Sequence, residues 1–200
     1  ISISLGYGAQ SSGNLSFAAG MVSKASNDNA TAIGTESNAS GVSSIALGKN
    51  ASAIRMHSIS VGTNATSTTT SIAIGDNAKA GQDIGSTTYS DSVAIGSHSA
   101  ALGAGAVAQG ARASAIGNLS VAIGGLSKAE SNSSIAIGYS SNATNLNAIS
   151  IGNSSQALAN NTIAIGKGNI VGGENSGAIG DPSIVNATNS YSVGNNNNLA

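Results

Sequence analysis

Along most of this chain large aliphatic residues fall two apart, with a small residue between them and a glycine directly after. SIALG at 44–48, SISVG at 58–62, SIAIG at 71–75 and 134–138, SVAIG at 92–96 and 120–124, and TIAIG at 162–166 are copies of one motif. SISLG at 2–6 and SYSVG at 190–194 are its outlying forms. Alternation with a period of two marks a β-strand. The closing glycines run from Gly6, Gly20, Gly34 and Gly48 to Gly166, Gly180 and Gly194 at a spacing of 14 residues, with two exceptions. Gly62 to Gly75 is 13 residues, and Gly75 to Gly96 is 21.

A second, weaker strand follows each glycine. Positions three and five after it are mostly small: Ala51 and Ala53, Ala78 and Ala80, Ser127 and Ala129, Ser155 and Ala157. Each unit therefore reads strand, glycine turn, strand, turn. Glycine suits a corner that needs positive φ, and Asn27 and Asn145 stand in for it at other corners. A helix is excluded by the short, glycine-punctuated, β-branched units. One unit cannot bury its own aliphatics, but units stacked coil on coil can. The pattern predicts an all-β fold: a parallel β-roll, or β-solenoid, of about fourteen 14-residue coils. It covers residues 1–194, with an irregular longer coil at 76–96.

The alternation gives each strand two faces without saying which turns inward. The expectation here puts the large residues, three and one before each glycine, inside the roll. The small residues between them (Ala46, Ser60, Ala73, Ala94, Ala122, Ala136, Ser150 and Ala164) then form a smooth ladder, the expected contact between protomers. The reverse assignment stays open at this point.

Composition sharpens the picture. Aromatics are 2% and charged residues 8%, with 27 glycines, so no conventional globular core can form. Net charge is −1 and no Lys/Arg cluster exists, which argues against a nucleic-acid partner. No apolar run reaches the length of a membrane-spanning helix. Zero cysteines exclude disulfides and thiolate metal sites. The acids Asp28, Glu36, Asp76 and Glu130 occupy different register positions, so no carboxylate pair for acid–base work is formed. His57 and His98 fall at different corners in separate coils. No catalytic residue, metal or cofactor is expected, and the chain is not read as an enzyme. Calcium-binding Gly-Gly-x-Gly-x-Asp units are missing. The Asn-x-Ser/Thr sequons at Asn38, Asn50, Asn64, Asn118, Asn142 and Asn186 are products of the repeat.

Ligand contacts are sought where the register breaks. The longest break spans residues 81–91 and offers Gln82, Asp83, Ile84, Thr87 and the aromatic Tyr89. Arg55, Met56 and His57 make a bulky corner, and Tyr139 follows Gly138 at another.

The SVAIG-type strand in a 14-residue unit, with Asn/Ser-Ala second strands, resembles the YadA-like head of trimeric autotransporter adhesins (type Vc secretion). The resemblance covers essentially the whole chain. It implies a left-handed roll, a homotrimeric head and a coiled-coil stalk. It also implies a bacterial cell-surface location, anchored in the outer membrane by a β-barrel that lies outside this sequence. Asn189–Ser–Tyr–Ser–Val–Gly–Asn195 looks like a last coil leading to a neck, with 195–200 as its start. Family heads bind host matrix proteins such as collagen, fibronectin or laminin, or receptors such as carcinoembryonic-antigen-related cell adhesion molecules. A role in virulence follows. The alternative is a self-associating spacer that promotes autoagglutination and biofilm.

Overall fold

The computed structural model describes residues 1–81, 83–84, 87–88 and 91–200. The described residues form strands and turns only, in the parallel β-solenoid that the repeat predicts. Contacts divide the chain into two units, Ile1–Ala104 and Gly105–Ala200.

Each coil contributes a three-residue strand to one sheet, called sheet A, and a two-residue strand to a second, sheet B. In the first unit, sheet A runs from Ile3–Leu5 through Ile45–Leu47 and Ile59–Val61 to Val93–Ile95. Sheet B runs from Gln10–Ser11 through Lys24–Ala25 to Ala100–Ala101. In the second unit, sheet A starts at Val107–Gln109 and ends at Tyr191–Val193, while sheet B starts at Ser114–Ala115 and ends at Asn198–Leu199. Neighbouring strands are parallel and in strict repeat register, as in Ile45↔Ile59, Ala46↔Ser60 and Leu47↔Val61. Identical positions therefore stack into columns, with successive residues of a column about 4.8 Å apart.

Those columns fix which face is the core, and they reverse the expected assignment. Ala46, Ser60, Ala73, Ala94, Ala122, Ala136, Ser150 and Ala164 are completely buried within their own chain, so they cannot be the contact between protomers. The large residues on either side, such as Ile45 and Leu47 or Ile135 and Ile137, point outward and are only partly covered. The reason is volume. The interior also receives the small residues of sheet B (Ala53, Ala80, Ala129, Ala157) and the serines that open each motif. Small side chains from both walls fill the narrow space, and the largest that are fully buried are Val171, Val185, Asn169 and Thr162.

Buried polar groups in this interior are paired with few exceptions, as burial demands. Ser58 Oγ donates to the Arg55 carbonyl (2.7 Å), and Ser120 Oγ to that of Gly117 (2.6 Å). Asn169 replaces a small residue and is fully used. Its Nδ2 donates to the carbonyls of Ile165 (2.7 Å) and Gly180 (2.6 Å), and its Oδ1 accepts from Ser183 N (2.7 Å).

The corners explain two kinds of glycine. Gly48 has φ +129°, and a Cβ there would lie 2.7 Å from the Gly62 carbonyl oxygen of the next coil. Gly41 has no positive φ; it is glycine because a Cβ would run into the Arg55 carbonyl stacked on it. Left-handed corners fall at other positions, including Asn29 (φ 56°) and Asn147 (φ 55°), two residues beyond Asn27 and Asn145.

Both register breaks leave the stacking intact. In the long coil, Val93–Ile95 pairs with Ile72–Ile74 in the ordinary way. The insertion includes a short antiparallel pair, Asp83–Ile84 with Thr87–Thr88. Within residues 195–200, expected to start a connector, Asn198–Leu199 forms a sheet B strand: Ile184 pairs with Asn198 and Val185 with Leu199.

Candidate functional site

With the interior filled by small residues, whatever recognises a partner must lie on the outside, where the two sheets differ. Outward positions on sheet A are aliphatic in coil after coil: Ile59 and Val61, Ile72 and Ile74, then, in the second unit, Val121 and Ile123, Ile135 and Ile137, Ile149 and Ile151. Ile33 is 42% exposed and Ile179 46%. In-register pairing turns them into two parallel apolar columns within each unit. Fully burying such a side chain stabilises by about 1.5–3 kcal/mol. A continuous apolar patch of this kind marks an interaction surface. Outward positions on sheet B are mostly polar: Gln10, Lys24, Asn38, Ser52, Thr66 and Lys79 in the first unit.

The expected ligand contacts are scattered. Gln82 and Tyr89 lie outside the described residues. Asp83, Ile84 and Thr87 belong to the antiparallel pair. Arg55, Met56 and His57 are exposed in one turn, with His57 at φ 55°. Tyr139 is 57% exposed and belongs to the second unit; its ring rests over Gly125, where a Cβ would stand 3.4 Å from Cδ2. The outward aliphatic columns are not evident as a surface from the sequence, because alternation alone does not say which face of the strand turns out. Among the described residues no group of three or more His, Cys, Asp or Glu could hold a metal ion.

A β-solenoid with a small-residue interior and one apolar outer wall is a scaffold for surface contact. The chain matches the YadA head domain repeat (2 copies) over residues 13–37, 25–51, 39–65, 67–87, 94–120, 115–141 and 143–169. It belongs to the YadA head family, a family of adhesin heads. No curated protein matches the chain.

Proposed function

We propose that this chain is one protomer of a homotrimeric adhesin head, displayed on a bacterial surface and attaching the cell to a host receptor or matrix protein. The observation that carries the assembly is the aliphatic outer wall of sheet A, against which no strand packs among the described residues. Three such walls facing one axis would remove the columns from water and leave the polar sheet B outside. Membership of the YadA head family supports the adhesin role. Attachment gains strength from many copies per cell, each weak contact adding to avidity. Anchorage in the outer membrane belongs to the same reading, as does the lack of a catalytic role.

The coil at 76–96 is the proposed receptor contact, because its extra residues leave the stacking undisturbed. Removing residues 81–87 restores a 14-residue spacing between Gly75 and Gly96. The test compares the intact chain and this deletion on immobilised collagen, fibronectin, laminin and a carcinoembryonic-antigen-related receptor. The expected result is binding of the intact chain to one of them and loss of that binding in a deletion that still melts cooperatively. Unchanged binding by the deletion removes the long coil from the site. If the chain binds none of them but makes displaying cells clump, the spacer reading replaces the receptor one.

A further inference from the structure

One corner groove recurs along the coils in three chemical versions. It runs between the residue two after a closing glycine, left-handed in most coils, and the outward sheet B residue four after it. In the first unit it measures about 250 Å³ and is lined by Val22, Lys24, Glu36 and Asn38, which balances a cation with a carboxylate. Near the end of the second unit it measures about 260 Å³ and is lined by Ile170, Pro182, Ile184 and asparagines. Between residues 126 and 156 it measures about 340 Å³ and is lined by Leu126, Lys128, Ser140, Asn142 and Gln156.

The third version differs from the first in charge. Arg112 stands one coil before Leu126 in the same corner column, and Lys128 pairs in register with Ser114 and Asn142. None of the residues lining the groove here is a carboxylate; the exposed Glu130 follows the Lys128–Ala129 strand. Among the described residues neither Arg112 nor Lys128 is ion-paired. Amides and hydroxyls repeat at the coil spacing, as Asn142↔Gln156 shows. Asn142 Oδ1 is buried and accepts no hydrogen bond. Tyr139, next in sequence to the lining residue Ser140, is exposed, with its ring over Gly125.

We propose that this groove, lined by Lys128, Asn142 and Gln156 and continued by the neighbouring exposed Arg112 and Tyr139, binds an extended anionic polysaccharide, one carrying carboxylate or sulfate groups. Sugar rings stack on an exposed aromatic, hydroxyls pair with a row of amides and serines, and the two free cations take the acidic substituents. A linear glycan laid along the coil axis meets one polar sheet B residue at each step of about 4.8 Å, from Ser114 through Lys128 and Asn142 to Gln156. A nucleic acid fits less well, since two cations and one aromatic ring are few for its phosphates and bases. The occupant is a glycan rather than a protein, so the proposal stands or falls apart from the receptor and trimer readings.

The test uses the whole chain with immobilised polygalacturonate and dextran sulfate, against neutral dextran and a single-stranded oligonucleotide. The expected result is binding to one or both anionic glycans that weakens as salt screens the charges. Lys128→Gln and Arg112→Gln each weaken it about three- to fivefold, and Tyr139→Ala about tenfold. Lys24→Gln, in the charge-balanced groove, leaves it unchanged. All four changes are at exposed side chains and leave the melting temperature in place, which is checked alongside. No binding to either anionic glycan overturns the proposal. So does equal binding to neutral dextran or the oligonucleotide, or an equal loss from Lys24→Gln.

Discussion

The outer wall of sheet A and the outer wall of sheet B share one interior and one register, yet their chemistry is opposite. Behind Ile135 and Ile137 lies Ala136; behind Asn142 lies Ala143; both alanines are fully buried. The interior needs only small, stackable residues and places no demand on what faces out. Sheet B spends that freedom on polar residues such as Lys79, Ser114 and Gln156, which suit water. Sheet A spends it on Ile, Val and Leu, which do not. Folding of a single chain therefore does not explain sheet A, and the proposed association would.

Substitutions separate the two walls from the interior they share, and the largest effect belongs to the interior. Ala136→Leu forces a large side chain between the sheets and is expected to destabilise by about 1–3 kcal/mol or more, read as a lowered melting temperature by circular dichroism. An unchanged melt would show that the interior is not close-packed. Asn169→Ala comes next. It strands the Gly180 carbonyl and Ser183 N inside the roll, for an expected loss of about 1–3 kcal/mol, measured by the same melt. Asp181→Ala is smaller. It removes the carboxylate oxygen that accepts from Lys167 N in the adjacent coil, an exposed contact worth about 0.5–1.5 kcal/mol. Smallest of all is Lys79→Asp on the outer wall of sheet B, where the melt should move by no more than about 0.5 kcal/mol in stability and the solution mass not at all. A change of mass there would erase the contrast between the walls.

Much of this architecture was legible in the sequence. The 14-residue glycine register, the two strands per coil and the tolerance of a 21-residue coil follow from residue spacing alone. The inward face did not follow, because alternation is symmetric between the sides of a strand. Volume could have decided it. The positions of Ala46, Ala51, Ala53 and Ser44 are all small in coil after coil, and all four are buried. Two walls that each offer small residues must meet on them. Gly41 was recognisable as a marker but not as a packing constraint, since the carbonyl that excludes its Cβ belongs to the next coil. The candidate contacts were chosen where regularity fails, while the apolar wall and the corner groove lie where it holds. A surface built by stacking is invisible in any one repeat.

The most direct measurement is the solution mass of this chain by analytical ultracentrifugation over a range of micromolar concentrations, beside an Ile135→Asp, Ile137→Asp double variant. The expected result is an assembly of three 19.1 kDa chains that the double variant shifts toward monomer without unfolding. A monomer at every concentration, or a trimer that carries both aspartates undisturbed, would contradict the assignment of sheet A as the wall between protomers.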